Sequence, residues 1–254
     1  MLFLITLVAI SGFSCSLSPI KEESDFIAIY EKAEYLAHLL VKMEYEEDVY
    51  YFVDGAWIAR KETKISESRL SGFVISRSDK FYILTAGHIR SDDFKILKIT
   101  AYFKYSVSPQ EMEILGYNMI VDGALLKFKD EKFRFSGQPA KLGQSAKLKP
   151  LESVMAIGSQ FGDYRYTPTR GYIANIIFTQ QPERPTLILH TAIINPGNSG
   201  GPLINGKGEV IGMNVMMRGD ASNTMATTLS AAVPIDYLIT ILPDLEKGVK
   251  IDRK

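Results

Sequence analysis

A serine hydroxyl attacks a carbonyl carbon only when a base takes its proton and donors await the oxyanion. Residues 195–203 read Asn-Pro-Gly-Asn-Ser-Gly-Gly-Pro-Leu and place Ser199 at the centre of such a loop. Gly197 has no side chain to screen its backbone N–H, and glycine adopts the dihedrals that turn successive N–H groups toward one point. The N–H groups of Gly197 and Ser199 are therefore the candidate oxyanion donors. A glycine-rich turn between two strands would read the same way, so the reading depends on a base and an acid elsewhere in the chain.

The chain has three histidines. His38 falls on the polar face of an apparent helix and reads as a solvated side chain. His190 lies in the strand that leads into the Ser199 loop, where a half-buried strand histidine is the simpler reading. His88 follows the apolar run 81–85 and the small pair Ala86-Gly87, so it emerges where a strand ends. Functional residues favour such placements on a rigid scaffold. The acid must hold the imidazole and stabilise its charged form. Asp122 precedes Gly123 and an apolar Ala-Leu-Leu, and an acid at the mouth of a buried strand is costly unless its charge is used. An Asp-Gly turn before a strand is the plain alternative.

The elements that must position these residues are mostly strands. Residues 21–48 have helical period, with an apolar stripe from Phe26 to Met43 and Ser24 as the N-cap. From residue 49 the period shortens. Segments 49–53 and 56–59 flank Asp54-Gly55, a two-residue hairpin signal. Strands follow at 70–76, 81–85, 96–105, 112–115 and 124–128, then at 154–157, 170–178, 186–191, 202–204, 210–215 and 227–233. Many short strands so spaced suggest paired β-barrels or sandwiches. Residues 141–151 read as a linker between the two sets, and 234–245 resume helical spacing.

The 254 residues suffice for one large or two small domains. Lys+Arg and Asp+Glu are both 29, so no basic stripe argues for nucleic acid. A single cysteine excludes an internal disulfide framework and a cysteine-based metal site, and no cofactor or metal is expected. Residues 1–17 are apolar and uncharged and end in small residues, which fits an export signal or a membrane anchor. Cleavage there, lipidation at Cys15 and retention as an anchor are the three outcomes, and this segment is the one expected membrane contact.

Thr-Ala-Gly-His at 85–88, Val-Asp-Gly-Ala-Leu-Leu at 121–126 and Pro-Gly-Asn-Ser-Gly-Gly-Pro-Leu at 196–203 together resemble the trypsin-like serine proteases, and among these the HtrA (Deg) branch. The order His, Asp, Ser and the separations of 34 and 77 residues are similar to that branch. Ser-Gly-Phe-Val-Ile-Ser at 71–76, Ala-Ile-Gly-Ser-Gln-Phe-Gly at 156–162 and Ala-Val-Pro-Ile-Asp at 232–236 add to the likeness, which runs from about 70 to 242. The resemblance implies an all-β fold of two six-stranded barrels of the chymotrypsin type, residues 48–143 and 144–254. An N-terminal helix over 19–47 and a short C-terminal helix would flank them. It implies His88, Asp122 and Ser199 as the catalytic triad. It also implies Gly197, Asn198 and Ser199 as the oxyanion loop, and an acyl-enzyme route for peptide hydrolysis. The primary pocket would be walled by Ile193 and Ile194, by Asn214, Val215 and Met216, and by Ser230 and Ala231. That apolar set predicts cleavage after small or medium aliphatic residues.

Some features depart from the branch. Thr191 stands where those proteins usually have aspartate. No peptide-binding PDZ domain fits beyond Leu245, so regulation through one is not expected. The Phe26–Met43 stripe is the expected surface for a homotrimer, unless it packs on its own barrel. Residues 158–171, with Tyr164, Tyr166 and Pro168, resemble the branch's mobile activation loop. The resulting expectation is an exported serine endopeptidase acting on polypeptides in the periplasm or cell envelope, with protein quality control as its role. The alternatives are a protease fold that only binds peptides and a dedicated maturation protease.

Overall fold

The apolar stripe that suggests one long N-terminal helix is divided between two elements. The computed structural model describes residues 21–106, 108–177, 186–218 and 229–252, and the expected signal or anchor segment with Cys15 lies outside them. Helix α1 (Lys21–Glu31) ends well short of residue 47, and strand β1 (Leu36–Val53) takes the rest. The period misleads for a physical reason. Leu36, Ala37, His38 and Leu39 are all buried, so β1 lacks the alternation that marks a half-exposed strand. Phe26 of α1 is itself buried on the chain's own body, which removes it from any surface offered to a second copy.

The first barrel therefore begins at Leu36 rather than at residue 48. Its other strands are β2 (Ala56–Arg77), β3 (Lys80–Ala86), β4 (Phe94–Phe103), β5 (Gln110–Asn118) and β6 (Gly123–Phe128). They pair around the ring in the order β1-β2-β3-β6-β5-β4 and close back on β1. The second barrel has β7 (Ser153–Gln160), β8 (Tyr164–Ile177), β9 (Leu187–His190), β10 (Pro202–Asn205), β11 (Val210–Arg218) and β12 (Leu229–Pro234). Its ring runs β7-β8-β9-β12-β11-β10, the same topology as the first. Two six-stranded antiparallel barrels are thus present, related in topology with no repeat visible in the sequence. Helix α2 (Ile235–Glu246) follows, and β13 (Lys250–Ile251) adds in parallel to the edge of β5.

Asp54 and Gly55 have φ of 50° and 83°, the positive values that a two-residue hairpin turn requires. The hairpin they close is longer than its sequence signal. β4 accompanies β1 only as far as Tyr45, so the outer part of β1 and its partner in β2 form a free two-stranded ribbon. The expected linker is pinned at its centre: Asp236 Oδ2 accepts the Ala146 N–H at 2.7 Å, and Ser145 Oγ accepts the Asp236 N–H at 3.1 Å. One buried cluster joins residues of both barrels, including Phe73 and Leu84 from the first and Ile157, Met213 and Val233 from the second. The site lies along this seam.

Candidate active site

β3 ends at Ala86, and a single 3-10 turn, Gly87–Ile89, lifts His88 out of the barrel. The turn packs tightly on the strand that carries the acid. A Cβ on Gly87 would lie 2.9 Å from the Gly123 nitrogen and 3.0 Å from the Asp122 carbonyl carbon, so only glycine fits. Asp122 itself sits at φ 59°, a left-handed conformation that aspartate tolerates better than most residues. The turn before it is held by Asn118, whose Oδ1 accepts the N–H groups of Ile120 and Val121 at 3.0 and 3.1 Å. Asp122 is buried, 5% exposed as a whole residue. It accepts the His88 backbone N–H at 2.8 Å and faces His88 Nδ1 at 2.9 and 3.1 Å. A carboxylate so placed fixes the proton on Nδ1 and leaves Nε2 as the basic nitrogen.

Ser199 follows a loop built against both barrels. Gly200, at φ 85°, lies so close to the end of β3 that a Cβ would sit 2.2 Å from the Ser71 oxygen and 2.9 Å from the Ala86 nitrogen. This contact brings the residue after Ser199 against the residue two before His88. The Ser199 hydroxyl donates to the Val215 carbonyl at 3.2 Å, and it forms no hydrogen bond with His88. Val215 is available because the β11–β12 register shifts between Asn214 and Met216, a bulge that re-aims its carbonyl. The Pro196 carbonyl accepts the Phe161 N–H at 2.7 Å. In a trans peptide the N–H points opposite to the C=O, so the Gly197 N–H faces away from Phe161. Asn198 is different: its N–H is spent on the Asn195 carbonyl at 3.0 Å and its side chain is buried, so of the three expected oxyanion residues it supplies no free N–H.

Residues 158–171 are a tight hairpin, not a long loop. β7 and β8 pair up to Gln160 with Tyr164, and the Tyr166 hydroxyl donates to the Tyr102 carbonyl at 2.7 Å. Ser71 of β2 is a residue that the sequence reading passes over. It is 2% exposed and joins the Ser199 loop to the first barrel through its hydroxyl and its N–H. The motif Ser-Gly-Phe-Val-Ile-Ser contains it, but nothing in its type or spacing marks it as part of a site.

Of the expected pocket residues, Ile193 turns outward and is 65% exposed, so it cannot wall an enclosed pocket. Ile194 points inward, in a cluster with Val154, Ile173 and Ile211. Val215, Ser230 and Ala231 are buried, and the side chain of Met216 lies outside the described residues. Asn214 is a strut of the Ser199 loop, donating from Nδ2 to the Gly201 and Pro202 carbonyls at 3.1 Å each.

Neither other histidine is placed to serve Ser199. His38 is a buried residue of β1 beside Tyr102, contrary to the solvated helix position expected for it; burial, with Arg165 and Arg69 nearby, lowers its pKa to about 4. His190 is fully buried in β9. Burial lowers its pKa to about 4, and the approaches of the Asn214 side chain and the Ala192 backbone oppose this only in part, since neither ring nitrogen makes a well-formed hydrogen bond. Both are neutral in the fold and gain a proton on unfolding below the ordinary value of 6.5. The unfolded chain then binds more protons, so the stability present above about pH 6.5 is lost as the pH falls toward 4. For His190 the loss is of order 3 kcal/mol. Thermal melting followed from neutral to acid pH is expected to show this decline, and His190→Gln to flatten part of it. An identical slope in the variant would mean that His190 is not the source.

A family model described as a trypsin-like peptidase domain matches residues 70–213. The "Probable periplasmic serine endoprotease DegP-like" of Pseudomonas putida (strain GB-1) is 35% identical over 189 residues, which is 74% of this chain and 37% of the relative. The "Serine protease Do-like HtrA" of Lactobacillus helveticus is 35% identical over 189 residues, which is 72% of this chain and 44% of that relative. The chain thus spans about two-fifths of the length of these curated relatives. The solved structure "HtrA-type protease AlgW with decapeptide" shares the fold, with a TM-score of 0.68 at 22% identity over 89% of this chain and 68% of that one. The domain match covers more than half of the sequence, and on it, with relatives of the HtrA (Deg) branch beside it, the chain belongs to the trypsin-like peptidase family.

Proposed function

We propose that the protein is a serine endopeptidase that hydrolyses polypeptides through His88, Asp122 and Ser199. The observation that carries this reading is the Asp122 carboxylate, which accepts both the His88 backbone N–H and the ring Nδ1–H and so leaves Nε2 as the basic nitrogen, while Gly200, the residue after Ser199, packs against Ala86. The Ser199 hydroxyl leaves the Val215 carbonyl by rotation about χ1 and hands its proton to Nε2 as Oγ attacks the scissile carbonyl carbon. The Gly197 and Ser199 N–H groups receive the developing oxyanion. His88 then protonates the leaving amine, the C–N bond breaks, and an acyl-enzyme remains. Water, deprotonated by His88, releases the acid and restores Ser199. Substrate side chains before the cut are small or aliphatic, a preference that rests on the sequence at 193–194, 214–216 and 230–231, which holds no acid to pair with a basic side chain. The working compartment is the periplasm or cell envelope, supported by the periplasmic naming of the Pseudomonas relative and by the apolar, uncharged residues 1–17. Removal of damaged envelope proteins is the role this reading favours.

Labelling with a fluorophosphonate tests the proposal. The chain is expected to be labelled, and Ser199→Ala to abolish it. A chain that stays unlabelled even with added peptide or denatured protein would instead be a peptide-binding protease fold.

A further inference from the structure

Every polar group of Ser71 is engaged at the seam between the barrels. Its N–H donates to the Ser199 carbonyl at 2.8 Å, and its carbonyl accepts the Thr85 hydroxyl at 2.7 Å. Its own hydroxyl donates to the Gly197 carbonyl at 2.8 Å and accepts the Ser159 N–H at 2.9 Å. Gly197 has a left-handed backbone, at φ 96°. It lies on β7 so closely that a Cβ would be 2.1 Å from the Ser159 oxygen. Two peptide planes meet at its Cα. The plane before it carries the Gly197 N–H and is held through the Pro196 carbonyl by Phe161. The plane after it is held at both ends, through the Gly197 carbonyl by the Ser71 hydroxyl and through the Asn198 N–H by the Asn195 carbonyl, and only the first of these bonds comes from the other barrel.

We propose that the Ser71 hydroxyl is a positioning residue for the oxyanion loop. From the first barrel it anchors the carbonyl end of the second plane and ties it to β7, and so holds Gly197 in the backbone conformation from which its N–H points to the oxyanion site. Glycine has the least intrinsic resistance to rotation of any residue, so a loop centred on Gly197 needs clamps on both sides. The backbone bond from Ser71 N–H to the Ser199 carbonyl would survive loss of the hydroxyl, so the side chain has a separable task. The consequence is that the site is completed only when the two barrels are docked. This inference rests on the serine endopeptidase reading.

Ser71→Ala tests it in the full chain. The variant leaves the Gly197 carbonyl and the Ser159 N–H without their partner. The expected result is a fall in kcat of about 10²-fold on a short peptide substrate, with KM nearly unchanged, the size of effect that misplacing one oxyanion donor produces. A peptide aldehyde, which forms an oxyanion on Ser199, is expected to bind more weakly by a similar factor. An uncleavable peptide of the same sequence is expected to bind as before. Thr85→Val, which removes the neighbouring bond without touching Gly197, should lower the melting temperature and spare kcat. Should Ser71→Ala not fold, Ser71→Cys carries the same test, because a thiol is only a weak donor. A kcat within about threefold of the parent would overturn the proposal, as would equal losses for the aldehyde and the uncleavable peptide. A parent chain that neither hydrolyses peptides nor reacts with fluorophosphonate would overturn the endopeptidase reading itself, before any Ser71 variant is compared.

Discussion

His88→Ala is expected to lower kcat on a peptide substrate by about 10⁶-fold, the scale on which loss of the general base collapses a serine hydrolase. The three histidines make this a discriminating measurement. His190 is closer to Ser199 in sequence, yet it is sealed in β9 with its pKa lowered to about 4. A base that is fully buried cannot collect a proton from a hydroxyl at the surface and pass it to a leaving amine. His38 is buried in β1 beside Tyr102. His88 alone combines an exposed ring, with 41% of its side chain accessible, and a buried carboxylate partner, 8% accessible. Because the ring is half in solvent, its removal should change the melting temperature little, so a lost activity can be read as lost chemistry. KM should change far less than kcat, since His88 contributes little to holding the peptide before attack. A variant that retains more than about one per cent of the parent's kcat would show that another group takes the proton.

The barrels were legible from about residue 70 onward because most of their strands there are short and punctuated, whereas the segments read as separate strands at 56–59 and 70–76 are the two ends of one strand, β2. Thr-Ala-Gly-His and Asn-Ser-Gly-Gly were legible as well, because close packing demands glycine: at Gly87 and Gly200 a Cβ would collide with the neighbouring segment's backbone. The N-terminal boundary was not legible. Apolar residues at 36, 40 and 43 satisfy a helical period and a doubly buried strand alike, and only pairing with β2 and β4, more than 20 residues away along the chain, decides between them. The doubled topology was invisible because each barrel fills its interior with different side chains, and a closed ring constrains pairing order rather than residue identity.

Within the site, legibility followed the chemistry of the residue. The residues proposed as nucleophile, base and acid are rare types in telling company. The groups that position them are not. Val215 contributes a carbonyl, Phe161 an N–H and Ser71 an ordinary hydroxyl, and each acts only because distant segments meet at the seam. The pocket shows the same limit. Ile193 and Ile194 are adjacent and chemically alike, and which of them faces inward depends on the strand's twist into the loop, with Thr169 Oγ1 holding the Ile193 carbonyl at 2.7 Å.

Asp122→Asn is expected to cost about 10⁴-fold in kcat while leaving the fold intact. The two hydrogens that Asp122 accepts explain both halves of this outcome. One comes from the His88 backbone N–H at 2.8 Å, and asparagine can keep it through its carbonyl oxygen. Asparagine also tolerates the left-handed backbone at φ 59°, where alanine would be strained. The melting temperature should therefore stay close to the parent's. The second hydrogen is on His88 Nδ1, 2.9 Å from the other carboxylate oxygen. With the amide oxygen committed to the backbone, the amide NH₂ faces Nδ1 and donates to it. Nδ1 must then become the acceptor, and the ring proton moves to Nε2, the atom that has to receive the Ser199 proton. The base is present, correctly placed and in the wrong tautomer. A loss of only about tenfold would mean that Asp122 serves the turn and not the imidazole, whereas a large fall in melting temperature would mean that its charge is needed by the fold itself.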